Sequence, residues 1–297
     1  LKAIENGILA ILEDVRATVT DWRDMRAQTL KIEKQLSKTP PKGMDKTLVS
    51  ETASFLKWLH DDHFTFMGYR EIDYQGTGKK ARLDIVQDSG LGILKDPQRL
   101  VFDGLRNLGA LPAQIQAQMR ARDLGRITRA NKRSTVHRRV HMDTIAIKKF
   151  DADGAVVGEH LFIGLLTSVA YNQSPREIPL LRQKVNAVIE ASGFEPGGHS
   201  SKALTHVLES YPRDELFQIS VDLLSDISRG ILFLQERQRI AVFLRPDPFQ
   251  RYISALVYVP RDRFSSSLRK LIGRQLAKEF KGHISAHYTF MTDEPLT

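Results

Sequence analysis

Four consecutive residues, His60, Asp61, Asp62 and His63, bring together groups that could act as acid, base or metal ligand. They lie inside ETASFLKWLHDDHFTFMGYREIDY, Glu51–Tyr74. His60 and His63 are three residues apart, so on a helix they would face the same way, and the two carboxylates could add oxygen ligands. No further convergent ligand is identifiable, and the helical pattern ends here. The competing reading is a junction between an amphipathic helix and an aromatic strand, with two acids at a helix C-terminus where the dipole disfavours them. That conflict points to a solvated or paired turn, or to an interface held for another domain.

Other groupings are weaker. His137/His141 and His283/His287 have four-residue spacing, but both pairs fall in strand-like segments, where they would stand about 13 Å apart. Gly164 and Ser168 do not make a G-x-S-x-G elbow. His199, Ser200 and Ser201 follow Gly197-Gly198, and a helix start there could hold an anion, with capping as the ordinary reading. Gly76-Thr77-Gly78-Lys79-Lys80 lacks the upstream glycine and the Ser/Thr of a phosphate loop and reads as a hairpin turn. The G-x-G-x-x-G of a dinucleotide site is absent. Tyr211-Pro-Arg-Asp-Glu-Leu-Phe217 reads as the start of a helix, proline first and acids in the positive first turn. The residues alone therefore assign no catalytic, cofactor-binding or metal-binding position.

The elements around these groups follow from periodicity. Residues 1–36 read as one helix, with Ile4, Ile8, Ile11, Leu12, Val15, Val19 and Trp22 at three- and four-residue spacing. SKTPPKG, Ser37–Gly43, is a linker. Ser50 is the expected N-cap of a second helix carrying Phe55, Leu56, Trp58 and Leu59. Phe64–Tyr74 and Leu83–Val86 are expected strands, with Ser89–Gly92 a turn. A helix is expected around Ala113–Arg122, a strand over Thr135–Phe150, a turn at Asp153-Gly154, a strand over Glu159–Val169 and a helix over Ile178–Ala191 ending at Gly193. Beyond Gly197-Gly198 come helices over Ser200–Tyr211 and Asp214–Gly230. Strands at Ile240–Leu244 and Tyr252–Val259 are joined by the rigid RPDPFQR. A helix over Leu268–Phe280, capped within Ser265–Ser267, and a final strand over His283–Phe290 complete the chain. This last α-β-β-α-β order matches most of a ferredoxin-like unit, the general plan of ACT-type regulatory domains; fold alone assigns no function.

The 297 residues are 41% hydrophobic and 27% charged, an ordinary globular balance. No apolar run approaches the roughly 20 residues of a membrane span. No signal pattern opens the chain, and residue 1 is Leu, so the expectation is a piece of something longer, in the cytoplasm. The absence of cysteine excludes disulfides, thiolate zinc sites and cysteine nucleophiles. The formal net charge is +9, but Arg120–Arg139 alone holds eight basic residues and one acid. Without it the chain is nearly neutral. That segment has no interleaved aromatics for base stacking, so nucleic acid is the lesser reading and a solvated segment or a contact with an acidic domain the greater.

Three stretches carry a resemblance. WLHDDHFTFMGYREIDY (Trp58–Tyr74), YPRDELFQ (Tyr211–Gln218) and FLRPDPFQRYISALVYVPRDRF (Phe243–Phe264) resemble, in the same order, the large bacterial NAD-specific glutamate dehydrogenases. The resemblance implies an N-terminal region of ACT-like domains, without the nicotinamide fold and catalytic lysine region that follow in the family. It implies an α+β fold of tandem ACT-like (ferredoxin-like) domains, antiparallel sheets with helices on one face. The expected division is 1–45 helix and linker, 46–195 an ACT-like domain with a helical insertion near 97–134, and 196–297 a second ACT-like domain. No catalytic, cofactor-binding or metal residue carries over. NAD belongs to the full-length parent, and the expected partners are the parent's own catalytic region, other protomers of a homo-oligomer and an amino-acid effector.

Overall fold

The computed structural model describes residues 2–99, 101, 108–236 and 239–290. The chain divides into two compact units, Leu1–Ala187 with Tyr211–Gln218, and Val188–Ser210 with Ile219–Thr297.

The first unit opens with α1 (Lys2–Lys38), whose buried face from Asp14 onward includes Met25, Ile32 and Leu36. Helix α2 (Lys46–Trp58) is capped by Asp45, whose side chain accepts the Thr47 N–H, and not by Ser50, which lies inside the helix. The cap falls where the chain leaves the Pro40-Pro41 linker, five residues before the expected one. Strand β1 (Phe64–Gln75) pairs with β2 (Arg82–Ile85) and with β3 (Leu91–Gly92), a two-residue strand inside the turn expected at Ser89–Gly92. A 3₁₀ turn at Gly78–Lys80 makes the first of these hairpins, with Gly76 and Gly78 at positive φ.

Helix α3 (Ala113–Met119) is shorter than expected, and β4 (Gly125–Arg133) occupies the end of the segment expected as a helical insertion over 97–134. Residues 100 and 102–107 of that segment lie outside the described residues. β5 (His141–Phe150) starts six residues later than expected, because the chain turns between Ser134 and Val140, whose backbone groups bond each other. β6 (Val156–Leu166) completes a sheet of order β2-β1-β6-β5-β4, antiparallel throughout. Direct hairpins join β1 to β2, β4 to β5 and β5 to β6. This differs from a split β-α-β order, in which helices alternate with strands; here α2 precedes β1, the short α3 stands between β3 and β4, and α4 (Ser168–Asn172) and α5 (Leu181–Ala191) follow β6.

A bulge between Phe66 and Gly68 interrupts the register of β1 on β6. Beyond it the alternation sends Tyr69 against Phe162 and His160 on one face, and Arg70, Ile72 and Tyr74 to the other. Arg70 donates to the carbonyls of Leu94 (2.6 Å), Asp96 (2.7 Å) and Arg99 (3.1 Å), so backbone from the segment after β3 lies over that second face. Gly92 shows how closely the layers meet. Its φ is +60°, and a Cβ there would sit 2.2 Å from the Met67 carbonyl oxygen. Its N–H donates to buried Asp21 of α1 at 2.9 Å.

The second unit contains α6 (His199–Ser210), α8 (Val221–Glu236), the hairpin β7 (Ala241–Pro246) and β8 (Ile253–Tyr258), and α9 (Ser266–Glu279). The helix expected over Asp214–Gly230 is two helices, α7 (Arg213–Gln218) in the first unit and α8 here. The Ser220 side chain accepts the Leu223 N–H and starts a new helix after Ile219. Phe243 of β7 packs on Gly230 of α8, where a Cβ would lie 2.6 Å from the ring. The β7–β8 joint is held by Asp247, which accepts N–H groups of Phe249 and Arg251 and the Arg251 guanidinium. Ser265 caps α9 through the Leu268 N–H. The strand expected over His283–Phe290 is not formed: these residues are exposed and carry no ladder. Alternation supplies a preference for extended backbone, but a strand also needs a neighbour for its N–H and C=O groups.

Candidate functional site

The His60–His63 junction is a turn in which each ring is committed to backbone. Helix α2 runs into a π-turn, Leu59–His63, and Asp62 leaves it in the left-handed region with φ 63°. His60 Nδ1 lies 3.2 Å from the Arg26 carbonyl, and His63 Nδ1 lies 2.8 Å from the Trp58 carbonyl. A carbonyl only accepts, so in these bonds each Nδ1 carries the proton. The His63 ring stacks on Trp58, centroids 4.4 Å apart. Asp62 pairs with Arg26 at 3.1 Å with its carboxylate largely in water, and its carbonyl accepts the Thr167 hydroxyl. Among the described residues no group of three or more His, Cys, Asp or Glu could hold a metal ion. The conflict between Asp61-Asp62 and the helix dipole is relieved because the helix has already unwound: Asp61 has ψ 51°.

The remaining groupings are dispersed. His137 lies in a loop at φ 66°, not in a strand, and only His141 lies in β5, its Nδ1 3.2 Å from the Ala130 carbonyl. His283 and His287 are exposed and outside any strand. Ser200 and Ser201 sit inside α6, which begins at His199, so neither is the cap expected there. Ser168 is the first residue of α4, and Thr167 caps it. The stretch Tyr211–Gln218 is a structural tie. Asp214 accepts from the Tyr171 hydroxyl (2.5 Å) and is ion-paired with Arg129 of β4, while Arg213 donates to the Gln173 carbonyl.

The strongest electrostatic feature was not singled out by motif. Glu159 of β6 is buried beneath the Arg70–Tyr74 face, bonded to the Tyr74 hydroxyl (2.5 Å) and to Arg126 (3.2 Å), with the Lys148 ammonium at 3.7 Å. Lys148 also donates to the Tyr74 hydroxyl and the Met119 carbonyl. Burial alone would raise the Glu159 pKa, but Arg126 and Lys148 hold it below the usual carboxylate value. Burial and then Arg126 push Lys148 down to about 8, and burial raises Asp123 beside them. The signal in the sequence was charge inside two strands with long buried runs, Lys148 after TIAI in HMDTIAIKKF and Glu159 before HLFIGLL in VVGEHLFIGLL. A second buried acid, Asp143, accepts the Leu166 N–H and is pushed up to about 6 by burial.

The folded Lys148 pKa lies below its ordinary value of 10.5, so between 8 and 10.5 the unfolded chain binds more protons and rising pH favours the fold. Stability measured by urea denaturation is expected to gain about 2 kcal/mol from this group between pH 7 and about pH 9.5. Lys148→Met should lack that gain. An equal rise in both proteins would refute the assignment.

The basic stretch Arg120–Arg139 is not one outward patch. Arg120 donates to the Gly76 carbonyl, Arg122 to Lys42, Arg138 to Leu166, and Arg126 and Arg129 are paired with Glu159 and Asp214. A surface laid out for a phosphate backbone would keep such cations facing solvent.

The sheets and this buried cluster define an α+β region whose conspicuous charged groups brace its own layers. Residues 178–237 match the family profile "Glutamate dehydrogenase, helical motif 1", and residues 241–297 match "Glutamate dehydrogenase, ACT2 domain". Across its whole length the chain is similar to the NAD-specific glutamate dehydrogenases. It is 36% identical over 296 residues to that of Halomonas elongata and 37% identical over 297 residues to that of Pseudomonas aeruginosa, covering 100% of this chain in each case. It is 25% identical over 285 residues to that of Mycobacterium tuberculosis, covering 95% of this chain. The chain spans only 18% of the first two relatives' length and 16% of the third's.

These relatives are oxidoreductases that use NAD. A dinucleotide fold of the parallel β-α-β kind is not seen among the described residues. The glycine fingerprint is absent from the sequence, and every strand pair among the described residues is antiparallel, whereas a dinucleotide fold presents pyrophosphate to a helix at the end of a parallel β-α-β unit. Among the described residues no helix is long and apolar enough to cross a membrane.

Proposed function

We propose that this chain is an N-terminal regulatory and assembly region of an NAD-dependent glutamate dehydrogenase. Its parent converts L-glutamate, NAD and water to 2-oxoglutarate, ammonia and NADH in the cytoplasm. The reading rests on the ACT2 match at 241–297 within whole-length similarity to these enzymes. In this reading 1–45, 46–195 and 196–297 act as helix with linker, first domain and second domain, the second on the ACT-like plan. The region contributes no catalytic, cofactor-binding or metal residue. It positions the parent's catalytic region, joins protomers and takes an amino-acid effector.

Deleting residues 1–297 from the parent enzyme tests this. The expected result is loss of an amino-acid response and of the native oligomer, with calorimetry of the chain itself showing binding of one amino acid from a panel. Lost oligomerisation, unchanged response and no binding would leave a scaffold alone.

A further inference from the structure

We propose that a groove on α1 binds a small dicarboxylate, the chemical class of L-glutamate and 2-oxoglutarate. This names a site and a ligand class for the effector of the reading above and rests on that reading.

A groove of about 590 Å³ runs along α1 where His60 of the π-turn stands against the helix. Arg23 and Arg26 line one end, Lys31 and Lys34 the other, and Ala27 and Leu30 lie between them. Among the described residues no carboxylate lines it. Asp24 and Glu33 belong to the same stretch of helix but stand outside the groove, and Glu33 accepts from the Ser37 hydroxyl. Of the four cations Arg26 is paired, with Asp62 at 3.1 Å, and that carboxylate is 84% exposed, free to give way to a ligand. Arg23, Lys31 and Lys34 have no acidic partner among the described residues. Like charges one turn apart on a helix repel, so each pair carries a cost that an anion relieves.

The groove is held in shape. The Arg23 and Arg26 guanidinium groups both lie over the Trp22 ring, each 5.8 Å from its centroid. The His60 ring is fixed to α1 by its bond to the Arg26 carbonyl. The spacing of charge then selects the ligand. From Arg26 to Lys31 is about 7.5 Å of helix axis, and the groove between them is apolar, lined by Ala27 and Leu30. Two cationic ends with an apolar middle match a carboxylate at each end of a short carbon chain. A guanidinium fork takes one carboxylate through paired hydrogen bonds, and the lysine ammonium groups take the other as point charges. A phosphate or a single carboxylate presents one anionic centre and leaves one cation pair unmet.

Titration calorimetry of the chain with L-glutamate and with 2-oxoglutarate should show one site for at least one of them, with a Kd of about 1 mM or tighter. The tighter of the two identifies the source of the dicarboxylate. L-Glutamine, which keeps the shape and loses one carboxylate, and inorganic phosphate should each bind about tenfold or more weakly. Arg23→Gln and Lys34→Gln, at exposed positions at opposite ends of the groove, should each weaken binding about fivefold or more with an unchanged far-UV circular dichroism spectrum. Absence of binding by both dicarboxylates overturns the proposal, as does phosphate or L-glutamine binding as tightly as they do. An amino acid that binds equally to the wild type and to the Arg23→Gln, Lys34→Gln double variant overturns the groove and leaves the regulatory reading standing. A dicarboxylate lost in the double variant, in a chain whose deletion leaves the parent's amino-acid response intact, supports the groove and removes that reading.

Discussion

Glu159→Leu lowers the stability of the first unit by about 3–5 kcal/mol, the cost of leaving buried cations without their anion. Arg126, with its side chain about one-tenth exposed, and Lys148, fully buried, both face this carboxylate. Removing it leaves two positive groups and the Tyr74 hydroxyl in a layer closed by the backbone near Met119. The measurement is urea denaturation followed by fluorescence of Trp58, which is buried in this unit. The triple replacement Glu159→Leu, Lys148→Met, Arg126→Met should recover most of the loss, because a well-packed apolar trio carries no desolvation cost. A loss below about 1 kcal/mol for the single change would mean that the cluster is hydrated and braces nothing.

Glu51→Gln lowers stability by about 2–3 kcal/mol, because one carboxylate holds a backbone N–H and a guanidinium together. Glu51 of α2 is buried and accepts from the Leu180 N–H at 3.0 Å and from Arg182 Nε at 2.9 Å. The bond to Leu180 steadies a backbone at φ 69°, unfavourable for a leucine, immediately before α5. Burial alone would raise the Glu51 pKa, but Arg182 and Leu180 hold it below the ordinary 4.5. This contribution is therefore fully present above pH 4.5 and fades as pH falls through the lower folded value. Wild type and Glu51→Gln should converge in stability under acid, and an unchanged gap at pH 3 would contradict the ion pair as its source. Leu180→Gly in the Glu51→Gln background should regain about 1 kcal/mol by relieving the backbone.

Much of the fold was legible where apolar periodicity and turn chemistry agreed. Helix α1, strand β1, the turn at Gly76–Lys80, the β7–β8 hairpin and the Ser265 cap follow from residues within a few positions of one another. What escaped depends on partners distant in sequence. β4 reads as polar, RITRANKR, because Arg126 and Arg129 face inward against Glu159 and Asp214, residues absent from any local window. The break at Ile219–Ser220 hides in a continuous helical pattern, and the His283–Phe290 alternation promised a strand that pairs with none of the described residues. For the candidate site, the sequence drew attention to Asp61 and Asp62, which face water, and passed over Lys148 and Glu159, which do not. Periodicity reports which side a residue faces and is silent about what waits there.

The pairing of β1 with β6 also sets an order of events during synthesis. Glu71 and His160 are register partners 89 positions apart, while β4, β5 and β6 join through short turns. At a ribosomal rate of about 5–20 residues per second, β1 waits roughly 5–20 s for the strand it must lie beside. During that interval it has only β2 and β3, short partners on one side, and its aromatic residues Phe66 and Tyr69 remain uncovered by Phe162. The three-strand meander closes locally and then recruits β1, so the nascent chain passes through a stage with a long apolar edge open to chaperones or to misassociation.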